Sequence, residues 1–140
     1  MEITDAIDFI RDHKHGVLIA IKSDGRPQSS NITYIVDDQG RIVISVTDGR
    51  AKTANLRRDP RASLHVNRDD FWAYAVIEAD VELTEVAARP DDATVDELVA
   101  YYRSVVGEHD DWDEYRQAMV DDRRLLLKLT PTHAYGAIDR

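Results

Sequence analysis

The sequence predicts a mainly β protein with helices, an α+β fold in which six antiparallel strands form a small β-barrel. Turn signals at residues 23–26 and 37–40 each join two apolar runs through a few residues, and such short connections pair strands antiparallel. The chain contains no Gly-x-Gly-x-x-Gly and no Walker-type loop, so it lacks the fingerprint of a dinucleotide-binding α/β fold. Its 140 residues show no linker, repeat or low-complexity tract, which indicates one domain over residues 1–140.

The first predicted elements are a helix and three strands. Thr4 and Asp5 are typical of a helix start, and the apolar residues after them fit one short helix. Pro27 follows the first turn signal and begins the returning strand. The elements are a helix from residue 4 to about residue 13 and strands over residues 17–22, 28–36 and 42–46.

A second helix and two further strands come next. Thr47-Asp48-Gly49 is a turn signal, and the helix after it runs from Ala51 to Asp59 because Pro60 cannot continue a helix. The strands are predicted over residues 62–66 and 72–83, with a polar loop at residues 67–70 between them.

Two helices and a strand complete the chain. Residues 94–97 form a capping box that predicts a helix start, and Gly107 ends this helix. Asp111 caps the next helix. The last strong strand covers residues 125–129, and Pro131 begins an exit segment.

The composition excludes several classes of function. A net charge of −9 opposes general binding to nucleic acid, whose phosphates repel an anionic protein. Cysteine is absent, which excludes disulfides, thiolate catalysis and cysteine-ligated metals. No apolar run approaches the roughly 20 residues needed to cross a membrane, and no segment resembles a signal peptide. The histidines and the acidic run after Gly107 do not match a zinc or calcium pattern. We therefore expect a cytoplasmic protein that binds no metal, nucleic acid or membrane.

Positive charge is concentrated at residues 50–62, which hold five cationic side chains and one anionic one inside an acidic chain. Arg50, Lys52 and Thr53 lie at the predicted N-terminus of a helix, where free N–H groups and the helix dipole favour an anion. The segment predicts a phosphate-binding turn for one small ligand. For Arg50 and Lys52 the alternative is solvated surface charge.

Three segments carry a family resemblance: Gly16-Val17-Leu18, residues 24–31 and residues 50–62. With them the chain resembles the pyridoxamine 5′-phosphate oxidase-like split-barrel superfamily. Residues 72–75, 107–112 and 115–119 strengthen a likeness, within it, to the small actinobacterial flavin and deazaflavin reductases that use coenzyme F-420. The chain lacks the basic C-terminal substrate segment of authentic pyridoxamine phosphate oxidases, so we do not expect the vitamin-salvage reaction.

The resemblance implies a homodimer of split barrels with two cofactor sites at the subunit interface. It implies that Arg50, Lys52 and Thr53, together with Ala51, take the cofactor phosphate, and that Asn55 supports this turn or reaches the ribityl chain. The residues implied along the edge of the cofactor ring are Gln28, Ser29, Ser30, Asn31, Ser45, Val46 and Thr47. Trp72 and Tyr74 are implied to come from the partner subunit.

The resemblance also implies a function, namely hydride transfer from reduced coenzyme F-420 to a small conjugated or heteroaromatic acceptor. Two alternatives stay open: an FMN-dependent oxidase or reductase of the same fold, and a non-catalytic protein that binds a flavin or deazaflavin. Such a cofactor carries the difficult chemistry, so no catalytic side chain is assigned.

Individual residues also have structural interpretations. Ser29, Ser30 and Asn31 could face solvent on a strand edge. Trp72 and Tyr74 could be packing residues. Two interpretations stay open for the remaining cations, Arg57, Arg58 and Arg61. They could form ion pairs on the surface of the helix, or they could contact an acidic tail of the cofactor.

Overall fold

The computed structural model describes residues 1–139, which fold into one seven-stranded antiparallel sheet and four helices. The helices are α1 (Ile3–Arg11), α2 (Ala51–Arg58), α3 (Ala93–Val105) and α4 (Trp112–Asp121). The strands are β1 (His15–Ile21), β2 (Pro27–Thr33), β3 (Ile35–Val36), β4 (Ile42–Thr47), β5 (Arg61–Asn67), β6 (Tyr74–Leu83) and β7 (Arg124–Ala137). The strand order is β2-β1-β5-β6-β7-β4-β3, and the sheet curves into a half-barrel.

The prediction of six strands is wrong by one, because the segment predicted over residues 28–36 is divided at Tyr34. The Tyr34 side chain is buried, and its hydroxyl donates to the Ile10 carbonyl of α1 at 2.6 Å. Its backbone N–H donates to the Lys14 carbonyl at 3.0 Å. The second of these bonds keeps Tyr34 in the β1–β2 register, whereas the next residue, Ile35, pairs with Val43 of β4. The chain changes partner strands at Tyr34, so β2 and β3 become the two ends of the sheet although they are consecutive in the chain.

Two hydrophobic clusters lie on opposite faces of the sheet. The larger one fills the concave face and includes α1 and Leu56 of α2. The smaller one lies on the outer face of β4 and β7, where Val43 and Leu126 pack against α3 and α4. The alternation of β7 makes this division, because Leu125 and Leu127 enter the first cluster and Leu126 enters the second. The outer face thus carries the two helices that lie beside the candidate site.

Helix caps confirm one prediction and correct another. Asp111 caps α4 as predicted, since its carboxylate accepts from the backbone N–H of Glu114 at 3.1 Å. The cap of α3 is Asp92, which accepts from the Val95 N–H at 2.9 Å, so the capping box predicted to begin at Thr94 is wrong. The Thr94 hydroxyl instead donates to a backbone carbonyl of the loop after β6. None of the four helices of residues 1–139 is long and apolar enough to span a membrane.

Strand ends differ from the prediction at two places. β6 begins at Tyr74 rather than residue 72, because Phe71 has a φ of 71° and the Asp70 carboxylate accepts from the next backbone N–H, which forms a tight turn. β7 continues through the predicted exit segment to residue 137. Pro131 is tolerated there because the β6–β7 register shifts beside it, and a bulge needs no ladder hydrogen bond from proline.

Candidate functional site

A gap between β2 and β4, here called the split, interrupts the curved sheet. β4 pairs with β7 along its whole length, whereas its other edge pairs only with β3, through Ile42 and Val43. β2 lies close to the rest of that edge without a backbone hydrogen bond to it within the described chain. The edge of β4 over residues 44–47 therefore keeps backbone groups that no strand satisfies.

The basic turn, residues 47–53, joins β4 to α2 beside the split. α2 begins at Ala51 as predicted, and its N-cap residue Arg50 makes no side-chain capping hydrogen bond. The Thr53 hydroxyl is buried and donates to the backbone carbonyl at the end of β4 at 2.8 Å, so it stabilises the turn. The N–H groups of Ala51 and Lys52 have no backbone acceptor among residues 1–139. The first turn of α2 thus presents two donors and the positive end of its dipole.

The cations farther along α2 are already engaged by the protein. Arg57 forms an ion pair with Asp48, and Arg61 forms one with Asp59 at 2.8 Å. Arg58 donates to the backbone carbonyl at the end of β1. Of the two interpretations open for these three arginines, the geometry favours contacts within the protein over contact with a cofactor tail.

Arg50, Lys52 and Arg124 are different, because none of them forms an ion pair with another described residue. Burial lowers the pKa of the half-buried Lys52 ammonium, and the positive charges of Arg50 and Arg124 lower it further. The Nε of Arg124 is buried without a hydrogen-bond partner, and its Nη1 reaches only the Ser45 hydroxyl, at 3.4 Å. An anion here would be attracted by three charges that no carboxylate neutralises.

Sequence reasoning misses Arg124, the first residue of β7. It comes to the basic turn because it lies opposite Thr47 in the β4–β7 ladder. The only local signal is a pair of arginines directly before the apolar run of the last strand. That signal places a cation at a strand end, but the neighbouring strand is set by long-range pairing.

A central cleft of about 420 Å³ lies between the basic turn and the helices α3 and α4. This volume is in the range of small-molecule sites. Its polar wall consists of Asn31, Thr33, Ser45, Lys52 and Arg124. Its apolar wall consists of Tyr101, Tyr102, Val105, Val106, Tyr115 and Met119, and Ile32 of β2 also lines the cleft. A ligand in the cleft would meet charge on one side and aromatic surface on the other.

Tyr101 of α3 connects the two strands that border the split. Its hydroxyl donates to the Thr33 carbonyl of β2 at 2.9 Å. Burial raises the pKa of Tyr101, and a backbone hydrogen bond from Ser45 and the charge of Arg124 act in the opposite direction. The phenol therefore stays protonated near neutral pH and closes one end of the split.

An aromatic cluster of Tyr102, His109, Trp112 and Tyr115 supports the apolar wall. Neighbouring rings have centroids 4.9–5.7 Å apart. The Tyr115 hydroxyl donates to the Leu98 carbonyl at 2.9 Å, and burial raises the pKa of Tyr115 to about 12. This interlocked packing holds α3 and α4 together beside the cleft.

Residues predicted along the cofactor ring divide between the two faces of β2. Asn31 lines the central cleft, and Ser29 is exposed on the same face two residues away. Gln28 and Ser30 point to the other face, where the Gln28 Oε1 and the Ser30 Oγ are buried without a hydrogen-bond partner. The interpretation of the whole segment as a solvent-facing edge therefore does not fit Ser30.

The predicted residues of β4 and α2 take different positions. Ser45 lines the cleft, whereas the Val46 side chain is buried in the larger hydrophobic cluster and its backbone pairs with Leu125 of β7, so neither is open to a ligand. Thr47 lies opposite Arg124 at the start of the basic turn. The amide oxygen of Asn55, one helical turn after Ala51, accepts from a guanidinium of the same helix at 3.2 Å.

Trp72 and Tyr74 do not line the central cleft. Tyr74 stacks on His65, with ring centroids 5.2 Å apart, and Trp72 is 71% exposed on the turn before β6. A separate cavity of about 560 Å³, here called the β5 cavity, lies beside this turn and includes His65 and Phe71. Asn31 lines both cavities. Core packing does not explain Trp72.

The family model of pyridoxamine 5′-phosphate oxidase matches residues 4–137 of the chain. Among solved structures, a conserved hypothetical protein from Mycobacterium tuberculosis is similar over 100% of this chain and 86% of that chain, with 22% identity and a TM-score of 0.77. An F-420 reductase is similar over 91% of this chain and 94% of that chain, with 19% identity and a TM-score of 0.65.

A heme storage protein from Vibrio cholerae is also similar, over 98% of this chain and 96% of that chain, with 16% identity and a TM-score of 0.70. Because these identities are low, the structural likeness shows a shared fold. The family model goes further, since its match begins in α1 and ends at the last residue of β7. The chain belongs to the pyridoxamine 5′-phosphate oxidase family.

Proposed function

We propose that this protein is an oxidoreductase that binds coenzyme F-420 at the basic turn and reduces a small conjugated or heteroaromatic acceptor. The observation that carries the proposal is the convergence of Arg50 and Lys52, both without a carboxylate partner, at the N-terminus of α2. A like-charge pair at the positive end of a helix dipole is unfavourable in the free protein. A bound phosphate removes that penalty.

The polar groups at the basic turn fit a phosphate. The side chains of Arg50 and Lys52 supply charge, and the free N–H groups of Ala51 and Lys52 supply directed donors. Thr53 acts through the turn, because its hydroxyl already donates to the end of β4. Asn55 follows on the same helix and is the residue we assign to the ribityl chain.

The split fits the polar edge of a tricyclic ring. Ser29 and Asn31 on β2, together with the backbone carbonyl of Ser45 and the backbone N–H of Thr47 on the open edge of β4, offer donors and acceptors that the sheet does not use. The Ser30 Oγ and the Gln28 Oε1, which have no hydrogen-bond partner, add acceptors on the other face of β2. When bound, the reduced deazaflavin supplies a hydride, two electrons with one proton, to a conjugated carbon of the acceptor, and water supplies the second proton.

We further propose that the active form is a homodimer in which Trp72 and Tyr74 of one protomer complete the site of its partner. Phe71 and Trp72 are 78% and 71% exposed, and Tyr135 is also exposed. Adjacent large aromatic side chains at a turn are more typical of an interface than of free surface. Asn31, which lines both cavities, would connect the partner's aromatic residues to the cofactor ring.

Two other functions have support of their own. The family match and the shared ring, ribityl chain and phosphate of the two cofactors support an FMN-dependent oxidase or reductase at the same turn. The similarity to a heme storage protein supports a non-catalytic binding protein, since the same fold stores a ligand there.

A parallel titration with oxidised coenzyme F-420 and with FMN separates these functions. Cofactor fluorescence and intrinsic tryptophan quenching report binding. Tighter binding of F-420, followed by turnover of an acceptor panel under reducing conditions, supports the reductase. Tighter binding of FMN moves the assignment to flavin chemistry, and tight binding without turnover favours the storage function. If neither cofactor binds, the assignment of the basic turn is wrong.

A further inference from the structure

The two walls of the central cleft are chemically unequal. The wall from α3 and α4 is formed by tyrosine rings, aliphatic side chains and a methionine, and no charged side chain lines it. Val106, at the end of this wall, is 64% exposed although it is aliphatic. An apolar side chain left open beside a cleft favours contact with a flat, apolar part of a ligand.

Arg124 lies between this apolar wall and the start of α2. Its charge acts on the hydroxyl groups of Tyr101 and Tyr115 from the helices and on the Lys52 ammonium of α2. Arg50 does not line the cleft, whereas Arg124 does, next to Lys52. The buried Nε of Arg124 has no partner, and the Ser45 hydroxyl at 3.4 Å is a weak acceptor for its Nη1. The Arg124 guanidinium thus has N–H donors without an acceptor, and it lies between the basic turn and the apolar wall.

We propose that the acceptor bound in the central cleft is a planar conjugated anion, with its carboxylate on Arg124 and its ring against Tyr102 and Val106. A guanidinium presents parallel N–H groups that match a carboxylate, and a flat ring suits an aromatic wall. This inference rests on the proposed function, because it assigns Arg50 and Lys52 to the cofactor and Arg124 to the second substrate. It makes Arg124 a specificity residue.

The test measures binding of 2-naphthoate and 2-naphthamide, which share one planar ring system and differ in charge. Isothermal titration calorimetry uses the protein saturated with whichever oxidised cofactor it binds. We expect the anion to bind at least tenfold more tightly than the amide. Arg124→Gln should remove this difference, with naphthoate affinity falling on the order of tenfold to a hundredfold, the range for a lost hydrogen bond to a charged group.

Two further variants make the result specific. Arg89→Gln removes the same charge from an exposed loop residue whose ion-pair contact is long, at 3.9 Å, and should leave both ligands unchanged. Arg124→Lys keeps the charge without the planar fork and should restore only part of the preference. Circular dichroism and thermal melting establish that each variant is folded.

Tryptophan fluorescence locates the bound ring. The chain has two tryptophans, so Trp72→Phe leaves Trp112 as the sole reporter, behind the apolar wall at 5.7 Å from Tyr102. Naphthamide, like naphthoate, should change the Trp112 emission in this background. In Trp112→Phe, where Trp72 is the reporter, the response should be weaker.

Three outcomes overturn the inference. Equal affinity for anion and amide in the unmodified protein, or no binding of either, shows that the cleft does not select planar anions. A loss of cofactor affinity in Arg124→Gln as large as that in Lys52→Ala assigns Arg124 to the cofactor phosphate. Cofactor binding is measured separately. If the unmodified protein binds no cofactor, the proposed function is wrong, and this result is distinguishable from the three outcomes above.

Discussion

Replacement of Lys52 by alanine gives the most direct test of the basic turn. The Lys52 ammonium is half-buried and has no ion pair among residues 1–139, and burial and two neighbouring cations lower its pKa. A phosphate would give it the partner that it lacks. Loss of a hydrogen bond to a charged group corresponds to about 1.5–3 kcal/mol, so the cofactor dissociation constant should rise about tenfold to a hundredfold.

The free protein should respond in the opposite direction. A lysine in the first turn of a helix opposes the helix dipole, which amounts to about 0.3–1 kcal/mol. Lys52→Ala also removes repulsion from Arg50 and Arg124. We therefore expect the free energy of unfolding without cofactor to be unchanged or slightly higher. A residue whose removal stabilises the free protein while weakening its complex is retained for binding.

Thermal or chemical unfolding with and without cofactor measures both effects. At a cofactor concentration of about 100 times the original dissociation constant, the unmodified protein should gain about 2.7 kcal/mol, and Lys52→Ala only about 0.4–1.4 kcal/mol. Lys22→Ala is the matched control, since Lys22 is exposed in a turn and its ion-pair contact is long, at 3.9 Å. Equal cofactor affinity in the two variants would refute the role of Lys52.

Four other variants test separate features. Asp48→Asn removes the carboxylate that pairs with two arginines around the basic turn, so cofactor affinity should fall while the circular dichroism spectrum is retained. Unchanged affinity would show that the turn is stable without these ion pairs. Burial raises the pKa of Tyr115 to about 12, against about 10 in the unfolded chain, so the free energy of unfolding should fall as pH rises from about 10 to about 12. In denaturant titrations Tyr115→Phe should lose less of this free energy over the same range, by at most about 1.4 kcal/mol per pH unit. Gly136→Ala should destabilise by more than about 1 kcal/mol, because φ is +144° and a Cβ would collide with the backbone of β6; Gly25→Ala, with φ of +87° and open space, should be milder, and equal losses would contradict the collision. Trp72→Ala should shift sedimentation towards the monomer and weaken cofactor binding, whereas an unchanged profile would separate Trp72 from the dimer interface.

The order of the helices and strands could be predicted because local chemistry determines most of it. Gly25 and Gly40 have φ values of 87° and 76°, as the two predicted turns require. The division of β2 from β3 could not be predicted, since it depends on two long-range contacts: the Tyr34 hydroxyl donates to a carbonyl of α1, and Ile35 pairs with β4 instead of β1. The exposure of Trp72 could not be predicted either, because the alternating sequence pattern continues the strand through this residue.

The candidate site shows the same limit. The charge of Lys52 and its place at a helix start are local, and the structure places it on a cleft with Asn31 and Ser45. Arg124 arrives by strand pairing, and Tyr101 arrives by the packing of a helix onto the outer face. Sequence reasoning therefore finds the cation of the cleft that lies at a helix start, and it misses the cation and the tyrosine that long-range packing brings there.

The location of a bound ligand separates a flavin-type cofactor from heme. Heme iron needs an axial ligand such as histidine, and no histidine lines the central cleft among the described residues. His15 and His65 instead line the β5 cavity, where the His65 Nε2 lies 3.2 Å from the Asn67 Oδ1. Binding that depends on Lys52 thus indicates a phosphorylated cofactor at the split. Binding that depends on His65 and not on Lys52 indicates a storage site in the β5 cavity. The unpaired cations Arg50, Lys52 and Arg124 lie at the first of these places, which favours a phosphorylated cofactor over heme.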